Sequence, residues 1–519
     1  MRPPCDQAIL RSAAAVAPCR PESRAWILAA TILGSSLAFI DSTVVNVALP
    51  AIQSTFHANV VDVQWVVEAY GLLLAALILT GGSLGDLFGR RVVFLAGVAI
   101  FALSSAACGL AATITQLIAA RSMQGIGAAL LVPGSLAIIS ASFDEKTRGQ
   151  AIGTWSGSTA ITTAAGPVLG GWLVEHASWR WAFFINLPIA AAVIVISLWQ
   201  IPESRSSSAG KVDWLGAALV TLGLGGLVYG FIESTDLGWR NPLVAGSLLL
   251  GTAALALFVF VERREPSPML PLQLFTSRKF TGANLMTLFL YAAIGVFFFL
   301  FPLDLIQVQG YSATKAGAAI LPMILLVFLL SRWSGGLVTR YGPRRPLILG
   351  PLIVALGFVL FALPGASGTY WTTFFPPIIV LGLGLAVTVA PLTTVVMNSV
   401  DRDHVGTASG INNAVSRVAG VLAIAVLGIV MVNAFSSQLN SSLSRVSLPP
   451  QTLREIEANV NKLAGLPVPR NLDASTAQTV RESVQSAFVH GFRVVVLICA
   501  GLAVASAAIT ARMIADRDS

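Results

Sequence analysis

Three charged side chains, Asp41, Glu68 and Arg121, stand inside long runs of apolar residues, and they are where this sequence could do chemistry. A carboxylate near the centre of a bilayer costs at least about 2.5 kcal/mol, so such residues usually face a cavity or a partner and serve a function. Asp41 has Ser42 beside it and Asn46 little more than one helical turn further on. Either it takes up a proton or a cation, or it packs helices through a hydrogen bond with Asn46 or Ser42. Arg121 has Gln124 one turn on and needs a counter-charge or several acceptors; Asp41 and Glu68 are the candidates. Its plainest reading is a fixed hydrogen-bond hub. Glu68 follows Trp65 at the third residue and precedes Tyr70, so it faces a cavity or sits among interfacial aromatics. Asp304, Glu233 and Asp236 are expected at helix ends.

These residues need helices to hold them. The composition is 55% hydrophobic and 11% charged, against about 25% charged in an ordinary soluble domain, and it describes an all-α polytopic membrane protein. Runs long enough to span a bilayer fall near 25–49, 63–82, 92–112, 116–140, 149–173, 179–200, 212–232, 242–261, 280–301, 314–334, 346–364, 372–397, 407–432 and 491–511, which makes fourteen helices by the length criterion. Arg90, Arg91, Lys146, Arg148, Arg205, Lys211, Arg263, Arg264, Arg278, Lys279, Arg340, Arg344, Arg345 and Arg402 fall on one side of that alternation, and Arg180, Arg240 and Lys315 on the other. The bias places both termini in the cytoplasm. Residues 1–24 are expected to form a disordered cytoplasmic tail and 512–519 a second one. The polar stretch 433–490, interrupted by Pro449, Pro450, Pro467 and Pro469, is expected to form a small helical hairpin over the outer face.

The loop between the second and third runs reads Gly82-Ser83-Leu84-Gly85-Asp86-Leu87-Phe88-Gly89-Arg90-Arg91. So short a link is a tight turn, in which glycine permits positive φ and Asp86 is placed to meet a helix N-terminus. Gly335 to Arg345 echoes it, with Gly342 and Arg344 in matching places and Thr339 where Asp86 stood. Gly149-Gln150-Ala151-Ile152-Gly153 is echoed by Gly406-Thr407-Ala408-Ser409-Gly410. The chain is therefore two equivalent six-helix halves, 25–200 and 266–511, with two inserted helices in 201–265.

The loop G-x-L-x-D-x-x-G-R-R resembles the signature of the major facilitator superfamily of secondary transporters, except that Leu87 replaces a usual basic residue. Six plus two plus six helices, with Ile40 to Pro50, Arg121 to Ala129 and Gly166-Pro167-Val168-Leu169-Gly170-Gly171, resemble its fourteen-helix drug:proton antiporters of the EmrB/QacA type. The resemblance implies proton-coupled efflux of amphipathic drugs by alternating access, with Asp41, Asn46, Glu68, Arg121 and Gln124 serving protons or substrate. It implies that Gly82, Asp86, Gly89, Arg90, Arg91, Gly342 and Arg344 gate the movement, and that Gly166, Pro167, Gly170 and Gly171 mark an antiporter; their plain alternative is small-residue packing. A bacterial inner membrane is the expected location. In a host with two membranes, the outer loop would meet a periplasmic adaptor.

Arg332 and Arg417 bring cations into later apolar runs that hold no carboxylate, which weakens the case for a purely cationic cargo. Export of a specific lipid, metabolite or anionic compound is the alternative; a polytopic membrane enzyme or sensor is the rival from another class, and it leaves the duplicated motifs unexplained. Trp155, Phe297, Phe298 and Phe328 line a tolerant apolar pocket or are packed against core and lipid. No nucleotide-binding loop and no nucleophile–base set occurs, so either an ion gradient supplies the energy or the protein is a facilitator, and no enzyme activity is expected. Four scattered cysteines and four scattered histidines have no metal spacing. No cofactor, metal or nucleic-acid partner is expected; the partners are a small molecule, protons and the lipid bilayer.

Overall fold

The computed structural model describes residues 21–143, 145–205, 212–400, 405–446, 448–468 and 472–514, and the regular structure among them is entirely helical. The long helices are α1 Pro21–Phe56, α2 Val60–Phe88, α3 Arg90–Leu110, α4 Ile114–Ser142, α5 Glu145–His176, α6 Trp181–Gln200, α7 Trp214–Leu237 and α8 Pro242–Glu262. They continue as α9 Arg278–Leu303, α10 Leu321–Tyr341, α11 Arg344–Phe361, α12 Phe375–Asn398, α13 Val405–Leu443 and α14 Ala474–Met513.

Thirteen helices among the described residues are long and apolar enough to cross a membrane, so the chain is an integral membrane protein. The helix that falls outside that set is α5, which covers the run expected at 149–173. Its serines, threonines and glycines dilute its hydropathy, so the fourteen expected crossings become thirteen strongly apolar helices plus α5.

Two expected boundaries are corrected. Helix α1 starts at Pro21, four residues inside the expected tail. The helical pieces expected within 433–490 are present, but its ends belong to longer helices: α13 runs on to Leu443, and 474–488 is the first part of the 40-residue α14. Between them lie a helix at Pro450–Ala458 and a 3-10 turn at Val460–Gly465. Hydropathy ends where lipid ends, but a helix needs only its backbone bonds to continue into water. The Asp473 side chain starts α14 by accepting from the Ser475 and Thr476 backbone N–H groups at 3.1 and 3.0 Å.

The chain forms two compact units. The first comprises Met1–Val45, Val66–Gly225 and Thr252–Leu272. Within it α3 and α4 meet at glycines: a Cβ on Gly127 would lie 2.6 Å from the Phe101 nitrogen. Trp155 is buried here and donates to Ser35 Oγ at 3.0 Å, so it is a packing residue.

The second unit comprises Asn46–Trp65, Gly226–Gly251 and Gln273–Ser519. Phe297 and Phe301 of α9 and Phe358 and Phe361 of α11 form an aromatic core with Phe374, the Phe297 and Phe361 ring centres being 4.8 Å apart. Phe297 is thus core; Phe298 is half-buried and Phe328 exposed. Amides tie the 46–65 segment into the unit. Gln64 Nε2 donates to the Ile424 carbonyl at 3.2 Å, and Gln53 Nε2 to the Lys462 carbonyl at 3.2 Å. Asp236 accepts from the side chains of Asn59 and Asn461.

Candidate functional site

Asp41 lies mid-way along α1, and donors from two other helices converge on its carboxyl group. Arg121 Nη1 of α4 donates to Asp41 Oδ2 at 2.5 Å. Gln124 Nε2, one turn further along α4, donates to Oδ1 at 2.8 Å. Asn186 Nδ2 of α6 reaches the same oxygen at 3.3 Å and Ser105 Oγ of α3 at 3.0 Å. Asp41, Arg121, Gln124 and Asn186 are all at most 1% exposed. An ionised carboxylate persists in such a place only when paired and hydrogen-bonded, and here it has both.

The guanidinium is as fully engaged as the acid. Arg121 Nη1 also donates to Gln124 Oε1 at 2.7 Å, and Nε donates to the Val66 carbonyl of α2 at 3.0 Å. Its planar face lies 4.3 Å from the Tyr70 ring centre, and the Tyr70 hydroxyl donates to the Ala38 carbonyl at 3.2 Å. Of the two expected partners of Arg121, the structure supplies Asp41. Asp41 accepts neither from Asn46 nor from Ser42, whose hydroxyl donates to the Phe39 carbonyl.

Glu68 is not in this cluster. It is fully buried in α2, and neither carboxyl oxygen has a hydrogen-bond partner among the described residues. Asp304 is likewise buried; as expected it ends a helix, standing at the C-cap of α9 and opening a π turn at Asp304–Val308.

Helix α5 presses on the turn that carries Asp41. A Cβ on Gly166 would collide with Thr43 Oγ1 and lie 3.3 Å from the Ile40 carbonyl oxygen, and one on Gly170 would lie 2.9 Å from Val44 Cγ1. Pro167 and Gly171 are buried beside them. These glycines allow the backbone approach that holds residues 40–44 of α1 in place.

The α2–α3 turn is tighter than expected. Helix α2 ends at Phe88, α3 starts at Arg90, and Gly89 alone makes the turn with φ 120°. Gly82 is half-buried in α2. The carboxylate at the α3 N-terminus is not Asp86, which pairs within the turn: Arg90 Nε and Nη2 donate to Asp86 Oδ1 at 2.9 and 2.8 Å. The terminus is instead met by Glu203, which accepts from the Arg91 and Val92 N–H groups at 3.1 and 3.2 Å. Arg91 Nη1 donates to the Ile201 carbonyl at 3.0 Å. In the echo, Gly342 turns with φ 76°, and Arg344 Nη2 donates to the Ala511 carbonyl at 2.8 Å.

Arg417 is half-buried in α13. The side chains of Arg332 and Thr339 lie outside the described residues. Among the described residues no group of three His, Cys, Asp or Glu side chains could hold a metal ion.

Sequence reasoning missed Asn186, Ser105 and Glu203. An asparagine inside the apolar run 179–200 was a visible signal for the first; the other two carry none.

A family model described as Major Facilitator Superfamily matches residues 31–424. The tetracenomycin C resistance and export protein of Streptomyces glaucescens is 34% identical over 94% of this chain and 91% of its own. The multidrug resistance protein Stp of Mycobacterium tuberculosis is 37% identical over 91% of this chain and 88% of its own. The structure of a bacterial homologue of the human lysosomal transporter Spinster, inward-facing and unoccupied, matches the fold with TM-score 0.64 at 19% identity, covering 96% of this chain and 99% of that one.

Proposed function

Because the chain belongs to the major facilitator superfamily, we infer that it is an efflux transporter of the plasma membrane that exchanges protons for amphipathic drugs or related small molecules by alternating access. The observation that carries this reading is the Asp41 cluster: an acid buried in the membrane and held by donors from two helices. Proton arrival at Asp41 cancels its charge and removes the attraction to Arg121, leaving that guanidinium with Gln124 and the Val66 carbonyl. The two protonation states thus favour different packings of α1 against α4 and α6, and such a difference is what a coupled transporter needs. Export as the direction of travel rests on the names of the relatives.

The loop charges support a bacterial inner membrane with both termini cytoplasmic. The connection 444–473 then lies outside, where an adaptor protein would meet it in a host with two membranes. The half-buried Arg417 favours a second reading, an anionic or neutral cargo.

The test is proton release from purified protein on addition of amphipathic cations, neutrals and anions. Release by a compound that disappears in Asp41→Asn, at unchanged protein level, supports the exchange. Proton-coupled efflux that survives in Asp41→Asn overturns the role of Asp41, and release by anions alone overturns the cationic cargo. Uphill import by the purified protein would reverse the direction assigned.

A further inference from the structure

A second acid site lies away from Asp41, where the ends of the inserted helices α7 and α8 meet. Asp213 immediately precedes α7, and Glu262 is the last residue of α8. They are 9% and 3% exposed. Each uses one carboxyl oxygen on a backbone donor: Asp213 Oδ1 accepts from the Gly216 N–H at 2.7 Å, and Glu262 Oε2 from the Leu270 N–H at 3.0 Å. The other oxygens, Asp213 Oδ2 and Glu262 Oε1, have no donor among the described residues.

Those two free oxygens converge. The point where a Cβ on Gly216 would stand touches Asp213 Oδ2 and lies 2.9 Å from Glu262 Oε1. Glycine leaves the space in which they face each other. Among the described residues no cation answers them: neither acid is in an ion pair, the neighbouring Arg264 lies over the Phe260 ring, and Arg263 is exposed. The other charged group acting on Glu262 is Glu265, also an acid. From α2 the contact to this corner is uncharged, Thr80 Oγ1 donating to Met269 Sδ at 3.3 Å. Two carboxylates cannot be buried face to face as anions without a bridging positive charge.

We propose that Asp213 and Glu262 are a proton-binding site, sharing one proton that closes the ends of α7 and α8 onto the 263–271 segment. The bridge is an O–H of one carboxylic acid donated to the carboxylate oxygen of the other. It is independent of the Asp41 cluster and does not rest on the transport reading. A proton held in this way stabilises the corner at low pH, and its loss as pH rises leaves two like charges in contact. The two residues titrate as a pair, so the proton belongs to neither alone.

Infrared difference spectroscopy of the purified full-length protein tests this through the carbonyl stretch of protonated carboxylic acids. Asp213→Asn and Glu262→Gln are each expected to remove the same single acid band, and the double variant no more than either. In each single variant the new amide N–H donates to the remaining carboxylate, so the fold is kept and its stability becomes less sensitive to alkaline pH than that of the wild type. Equal acid intensity in wild type and variants overturns the proposal. So does an additive loss of two bands, which would mean two separate acids. Sodium, potassium or calcium raising the melting temperature of the wild type but not of the variants would assign the site to a metal ion and overturn the proton.

Discussion

At the scale of single residues, Asp41 accepts from three donors and Arg121 gives to three acceptors, so the pair tolerates little change. Arg121→Lys keeps the charge but loses the planar fork that serves Asp41, Gln124 and the Val66 carbonyl together. Proton-driven dye efflux in inverted vesicles is therefore expected to disappear in Arg121→Lys; wild-type rates would mean that only the charge matters. Asn186→Leu removes one of the donors to Asp41 and the partner of Ser105. A hydrogen bond to a charged group contributes about 1.5 kcal/mol or more, so coupled efflux should fall about tenfold at unchanged protein level. Asp41 and Arg121 could be found from the sequence because a charge in an apolar run stands out. Asn186 and Ser105 could not be assigned a role, since uncharged polar residues are common in membrane helices and only the folded geometry brings these two to the carboxylate.

At the scale of elements, close helix contacts depend on particular glycines. Gly166→Ala puts a methyl group onto Thr43, whereas Gly153, in the same helix, has nothing within 4 Å of its would-be Cβ. Thermal unfolding in detergent should show Gly166→Ala destabilised by about 1–3 kcal/mol and Gly153→Ala unchanged. The α3 N-terminus depends on Glu203, and Glu203→Gln should cost about 1–2 kcal/mol through the lost charge on that terminus. Asp473 starts α14 under the same rule. Bonds from Ser475 and Thr476 hold its carboxyl well below the usual range, so its contribution is present at neutral pH and fades as acid protonates it, which helical content followed against pH would register. Helix positions were legible as apolar runs; the partners at helix ends were not. Asp86 has the right type and place to meet the α3 N-terminus, yet Glu203, more than a hundred residues away, takes that role because α6 returns to the same corner.

At the scale of the whole molecule, the repeated loop motifs and the alternation of basic residues describe a two-half transporter in the sequence, and the match over residues 31–424 carries the family. Hydropathy reads lipid contact rather than helix, which is why the polar ends of α13 and α14 are not legible in the sequence as parts of those helices. Orientation has a direct test. Cys108 and Cys499 are buried, so with Cys5 and Cys19 replaced by serine a cysteine introduced at the exposed Gln451 should react with a membrane-impermeant maleimide in intact cells. Reaction only in inverted membranes would reverse the assigned sidedness. Helix α14, with 40 residues, is roughly 60 Å long at 1.5 Å per residue, against about 30 Å of hydrocarbon. A stiff rod twice as long as the layer that grips it acts as a lever. A small tilt inside the membrane becomes a large swing at the Ala474 tip, so a probe placed there would report the working stroke magnified.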